Sequence, residues 1–330
     1  MRRLIMPIFA VLLITTAIAI AADIPERPEE LTYPEFKFDL PDADSLRFEL
    51  ADGTPVYALR DSEFPLVNIS IYFKGGRYLE PDGKAGLTAI AGDAWRSGGA
   101  GDRTAQELDE ALDFLAATIG TNISEVSGSA SLNVLSKDLD EAMAIFMDVL
   151  TKPTFQQDRF DKTKENMIQR IKQRNDDSAD IESREWRRLL FGDDYWSNRL
   201  STKASIDSIT TADAKYFVDS MVRSGNLVVA VSGDFDKAEM MDLLNRTIGT
   251  LEPLAAPMPG IPQPDHSPEP GVYVVDKPDV NQGRVRIGKL GFREGHPEEF
   301  ALKMGNEILG GGGFTARMMK RIRSDEGLAY

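Results

Sequence analysis

The side chains that could do chemistry are few. The chain has two histidines, His266 and His296, and no cysteine, which excludes thiol catalysis, cysteine-bound metal and disulfide staples. A Ser-His-Asp triad would have to recruit one of those histidines, and no Gly-x-Ser-x-Gly elbow is present. His266 stands among prolines and His296 directly precedes Pro297, so both are read as solvated loop residues. Asp93 and Glu165 could form a carboxylate pair, but solvated charges on helix faces are much the commoner explanation. The glycines at 310–313 invite a phosphate loop, yet no Lys-Ser or Lys-Thr follows in register, and a close-packed turn is the better reading. That leaves the stretch 82–101, DGKAGLTAIAGDAWRSGGAG, an amphipathic helix pattern bracketed by glycines after a strand-like run.

The surrounding pattern positions that helix. LRFEL, an Asp52-Gly53 turn and PVYAL read as a β-hairpin, and LVNISIYFK at 66–74 alternates as a half-buried strand does. Residues 103–119 carry apolar residues at helical spacing, with Thr104 and Glu107 as a capping pair. Alternation returns over 122–134, and helices are expected at 137–150, 156–175, 182–191, 211–222 and 237–248, with a break at 176–178. NLVVAVS at 226–232 has the continuous apolar run of a central strand. Mixed strands and helices in this order predict an α+β domain over residues 46–250, with helices covering a mainly antiparallel sheet. Seven prolines in residues 251–271 mark an interdomain linker. Beyond it, strands at 272–276 and 282–290 and helices at 297–309 and 315–323 are expected. They are too few to close a core, so 272–330 reads as the start of an incomplete second domain.

Composition narrows the setting. Residues 1–22, MRRLIMPIFAVLLITTAIAIAA, pair two arginines with an apolar run and offer Ala19-Ile20-Ala21 as a cleavage site, the pattern of a Sec-type signal peptide. An uncleaved anchor is the competing reading, because the run approaches membrane-spanning length. The expectation is a periplasmic or otherwise exported chain with no stable membrane insertion after cleavage. Residues 23–45, with four prolines and many acids, form an extended lead-in. The net charge of −15 becomes −17 when Arg2 and Arg3 depart (36 basic against 53 acidic residues), which disfavours nucleic acid as a partner.

Several phrases in this order resemble the M16 (insulinase or pitrilysin) metallopeptidases of the mitochondrial-processing-peptidase-like type. They are LADGTPVYAL, LVNISIYFKGG, GKAGLTAIAGDAWRSGG, TKASIDSITTADAKYFVDSMVRSGNLVVAVSGDFD and GGGGFTARMMKRIRSDEGLAY. The resemblance implies an α+β fold of two M16-like (LuxS/MPP-type) domains, the second truncated in this chain. In that family the helix after the third strand carries His-x-x-Glu-His, with a third ligand, a Glu, roughly seventy-five residues later. Two His four apart grip zinc on one helix face, and the Glu between them activates water. Here Ala89 and Asp93 stand where the two His would be and Gly92 where the general base would be. The third-ligand position falls near Gln169 or Arg170, and Glu165 is one helical turn earlier.

The closing stretch keeps what the family has. An Arg and Tyr seven apart hold the substrate backbone in the family, and they map onto Arg323 and Tyr330. A guanidinium fork suits peptide carbonyls, and a tyrosine hydroxyl can donate to an oxyanion. The implied role is a non-catalytic subunit with no metal of its own. It would supply this pair to a heterodimeric endopeptidase whose zinc sits in a partner M16 subunit carrying His-x-x-Glu-His, with peptides as substrates. A non-proteolytic binding or scaffold protein of the same descent is the alternative, and a stand-alone hydrolase built around Asp93 is the least favoured.

Overall fold

The computed structural model describes residues 42–329. The signal segment at 1–22, nearly all of the lead-in and Tyr330 lie outside the described residues. Ala43–Leu46 forms a single helical turn, α1.

Strands β1 (Arg47–Glu49) and β2 (Pro55–Arg60) form the expected hairpin, and β3 is Leu66–Lys74. Then come helices α2 (Leu87–Ser97) and α3 (Ala105–Phe114), strands β4 (Thr118–Ile123) and β5 (Ser127–Leu135), and α4 (Leu139–Thr151). Helices α5 (Gln157–Gln173), α6 (Ser178–Phe191), α7 (Lys203–Ser208) and α8 (Thr211–Met221) precede strand β6 (Leu227–Gly233) and helix α9 (Lys237–Arg246). The six strands make one sheet in the order β1-β2-β6-β3-β5-β4. Only β2–β6 is parallel; the other four pairings are antiparallel.

The period of two decides what the sheet buries. Val67, Ile69, Ile71 and Phe73 of β3 meet Ala130, Leu132 and Val134 of β5 and Val229 and Val231 of β6 in one core, with residues of α2, α3, α4, α8 and α9. Trp95 of α2 has no exposed surface; its ring meets Phe73 edge-on, and its Nε1 donates to Val149 O at 2.7 Å. Burying each such large side chain stabilises by about 1.5–3 kcal/mol. The opposite sheet face stays partly wet and displays Tyr57, Leu59, Tyr72 and Val228.

Local signals explain most boundaries. Thr104 and Glu107 form the reciprocal capping box of α3, Asp177 caps α6 from within the anticipated break, and Thr210 caps α8. Several expectations are corrected. The helix expected to run to 119 stops at Phe114, because Ala116 turns left-handed (φ 47°) and 118–123 pair with β5. The strands expected at 272–276 and 282–290 are not formed. Val272, Val274, Val285 and Ile287 are exposed, and no strand lies beside them to complete a ladder among the described residues. Further on, α10 (Glu299–Asn306) continues as a π-helical stretch over Glu307–Gly311, and the expected 315–323 helix is replaced by a short 3₁₀ turn at Gly313–Thr315 and a π-helical stretch, Met319–Asp325.

The seating of α2 depends on a residue outside it. Gly86 precedes the helix at φ 104°, where a Cβ would lie 2.6 Å from Ile206 Cδ1. It offers no side chain to cap the helix. The carboxylate of Glu80, only 5% exposed, accepts from the Gly86 and Thr88 backbone N–H groups at 3.2 and 2.8 Å. A negative charge there also complements the helix dipole. The same loop is held from the other side by Lys84, whose Nζ lies 2.8 Å from Asp213 Oδ2.

Two outcomes follow. Glu80→Ala strands two buried donors and should lower unfolding free energy by about 2 kcal/mol in urea titration. Burial pushes the Asp213 carboxyl upward, but hydrogen bonds from Lys84 and Thr210 outweigh it and hold the group below its usual value. A carboxylate depressed in the folded state contributes stability above its unfolded pKa, and that contribution is lost as pH falls through the folded value. Acid unfolding of Asp213→Asn, followed by circular dichroism, should therefore show a shallower stability loss below about pH 4 than the parent.

Candidate functional site

Helix α2 buries Leu87, Ile90, Ala91, Ala94 and Trp95. The 3.6-residue period then leaves Ala89, Gly92, Asp93 and Arg96 on the opposite stripe. This stripe and the edge strand β4, through Ile119, Thr121, Asn122 and Ile123, line a groove of about 460 Å³. Gly92 faces β4: a Cβ built there would stand 3.4 Å from the Ile123 backbone nitrogen. Thr88, 6% exposed, lines the groove with a hydroxyl that has no hydrogen-bond partner.

The positions the sequence assigned to a metal site do converge, but on different chemistry. Asp93 Oδ2 lies 3.1 Å from Arg170 Nη2 of α5, joining residues 77 apart in the chain. The second-histidine and third-ligand positions are thus occupied by an ion pair. Both members are more than half exposed, so the pair is worth no more than about 1 kcal/mol. Glu165 is exposed on α5, and Asp93 is paired with Arg170, so the Asp93–Glu165 carboxylate pair is not the arrangement found.

Zinc does not fit these residues. Ala89 and Gly92 offer no donor, and the Asp93 carboxylate already faces a guanidinium that would repel a cation. No group of three or more His, Cys, Asp or Glu that could hold a metal ion occurs among the described residues. The histidines are engaged locally: His266 Nε2 lies 3.1 Å from Leu189 O, and His296 stacks on Phe292 at 3.9 Å.

Arg323 is found in the Met319–Asp325 segment with its guanidinium over the Phe314 ring at 5.0 Å, a cation–π contact. It does not line the α2–β4 groove. Its expected companion Tyr330 lies outside the described residues. Of the glycines at 310–313, Gly310 and Gly311 end the π-helical stretch Glu307–Gly311, and Gly313 turns left-handed at φ 63° to open the 3₁₀ turn Gly313–Thr315.

Glu80 was missed at the sequence level, although a helix opening on Gly-Lys-Ala-Gly with no capping side chain signals a cap supplied from elsewhere. Arg170 was placed by spacing, but its pairing with Asp93 was not foreseen; their opposite charges were the available signal.

Two family models match this chain: one described as "Insulinase (Peptidase family M16)" over residues 56–189, the other as "Peptidase M16 inactive domain" over 208–330. The chain belongs to the M16 family. It is 26% identical over 278 residues to the "Non-peptidase homolog YmxG" of Helicobacter pylori, covering 84% of this chain and 63% of that protein. It is 22% identical over 233 residues to the "Uncharacterized zinc protease YmxG" of Bacillus subtilis, covering 70% and 56% respectively. The chain thus spans between about half and two thirds of the length of these curated relatives. Among solved structures, a peptidase M16 inactive domain from Pseudomonas fluorescens superposes with a TM-score of 0.71 at 24% identity, over 86% of this chain and 68% of that one. The periplasmic protease PqqL from Escherichia coli gives 0.59 at 16% identity, over 71% and 27%. These likenesses bear on the fold, which is α+β with M16-type architecture. The chain is an M16 homologue.

A direct test follows from the convergence of positions 93 and 170. The parent chain should take up no stoichiometric Zn²⁺ in equilibrium dialysis. The fourfold variant Ala89→His, Gly92→Glu, Asp93→His, Arg170→Glu should bind one equivalent, because the backbone already brings the needed side chains together. Failure of that variant, while folded, would show that α2 and α5 are misaligned for a metal.

Proposed function

We propose that this chain is the zinc-free member of a two-subunit M16 peptidase in the periplasm. The observation that carries the reading is that the α2–β4 groove is open while Ala89 and Gly92 in it carry no donor and Asp93 is paired with Arg170. An enzyme that had lost its role altogether would have no need of the open cleft. Strand β4 ends the sheet, so one row of its backbone N–H and C=O groups is free to pair with an extended peptide. Ala89 and Gly92 keep the wall beside that edge low. On this reading the groove aligns the peptide, Arg323 and Tyr330 hold its backbone, and metal and general base come from a partner subunit carrying His-x-x-Glu-His.

Support for the setting is indirect. The leading 22 residues read as a signal peptide, PqqL is described as a periplasmic protease, and no described helix is long and apolar enough to cross a membrane. Arg323 also has chemistry to spare. Its only ring partner, Phe314, is 73% exposed, so a peptide carbonyl could replace that contact at little expense.

A second reading, a peptide-binding protein without a proteolytic role, is favoured by the name of the Helicobacter pylori relative, a non-peptidase homologue. Reconstitution separates the two. The chain alone should leave peptides intact. Mixed with a zinc-motif M16 subunit it should give chelator-sensitive cleavage, and Arg323→Ala should reduce kcat about tenfold or more without dissociating the pair. An inactive mixture, or an Arg323→Ala complex of unchanged rate, would sink the subunit reading. Retained peptide binding by the chain alone would then favour the second.

A further inference from the structure

The proline-rich stretch at 251–271 reads as a linker in sequence, yet it is fastened along the surface of the domain. At its start, Leu254 N donates to Ser224 O at 2.9 Å, and Pro253 bridges to the same residue. Further on, the Tyr78 hydroxyl donates to Pro259 O at 3.0 Å. The Tyr195 hydroxyl and Trp196 Nε1 both donate to Pro262 O, at 3.1 and 3.3 Å. Between these points Met258 packs against the core. At the far end His266 Nε2 meets Leu189 O.

The donors are not scattered. Phe191 stacks on Tyr195 at 5.3 Å, Tyr195 meets Trp196 at 5.4 Å, and Trp196 meets Tyr78 edge-on at 6.1 Å. This is one continuous aromatic ladder contributed by α6, the turn after it and the loop before α2. All of its polar tips point at one strand of prolines. Tyr78 and Trp196 are each 8% exposed, so their donors need protein partners. Burial also pushes the Tyr78 hydroxyl pKa upward, which keeps it a donor.

The acceptors fit the same logic. Proline has no N–H and cannot join a ladder, but the carbonyls of a proline-rich run remain strong acceptors. In a polyproline II conformation the period is three residues, so carbonyls at 259 and 262 face the same way. Fixed φ angles at Pro257, Pro259, Pro262 and Pro264 reduce the entropy lost on docking.

We propose that the Phe191–Tyr195–Trp196–Tyr78 ladder is a docking cleft for proline-rich chain, filled in cis by residues 257–264. The linker is thereby a strut that sends the following polypeptide off in one fixed direction. A flexible tether of the same length would let that polypeptide wander.

The chain has no cysteine, so a single nitroxide at Gln263→Cys, an exposed position, reports on the strut without background. In the parent the label should be immobilised. Tyr78→Phe with Tyr195→Phe removes two hydroxyls and keeps the rings; it should shorten the label's rotational correlation time several-fold, while near-ultraviolet circular dichroism stays native. Should that pair fail to fold, Pro259→Ala with Pro262→Ala, both at exposed positions, decides the matter by the same readout. A parent label that tumbles freely, or a label unmoved in the folded variant that decides, overturns the proposal.

Discussion

The whole architecture hangs on one insertion. Strands β2 and β3 are neighbours in sequence, separated by a short turn, yet they do not pair; β6, arriving some 150 residues later, lies between them. Among the described residues, its parallel register with β2 and antiparallel register with β3 are the ladders that join the β1–β2 hairpin to strands β3, β5 and β4. Val229 and Val231, buried on one face, lock that register, because a slip of one residue would turn both to the other face. Helices α2 to α8 are the route the chain takes to bring β6 back. The groove at the β4 edge is therefore set by pairings formed three strands away.

Within that frame the seating of α2 is independent of its groove-facing residues. What seats α2 is Trp95 in the core, Gly86 at a left-handed turn and the buried carboxylate of Glu80 at the N-terminus. None of these faces the groove. The groove-facing stripe of Ala89, Gly92 and Asp93 is thus not what holds the helix in the fold. The Asp93–Arg170 pair is too exposed to carry mechanical load, and it marks where two helices approach rather than what holds them.

Much of this was legible in the residues, and the misses have a common cause. Strand β3, the capping box of α3, the break before α6 and the central character of β6 were readable because each rests on local signals: period, caps and continuous apolar runs. Residues 115–119 were misread because Leu115 and Ile119 continue a helical spacing, while pairing with β5 draws 118–123 into a strand. Residues 272–276 and 282–290 were read as strands, but an apolar stretch forms a strand only where a partner exists to complete its ladder. At the site, the amphipathic character of α2 followed from spacing. Glu80 and the fastening of the proline-rich stretch did not, since both depend on residues distant in sequence meeting across a folded surface.

The two ends of the sheet differ in a way that bears on how this protein behaves in company. Strand β1 is three residues long and carries Arg47 and Glu49, charges that discourage another strand from docking. Strand β4 is six residues long, Thr-Ile-Gly-Thr-Asn-Ile, without a charge or a proline. An edge of this kind is open to a second copy of itself, so at high concentration β4 can pair with β4, and the same six residues set a limit on the molecule's solubility.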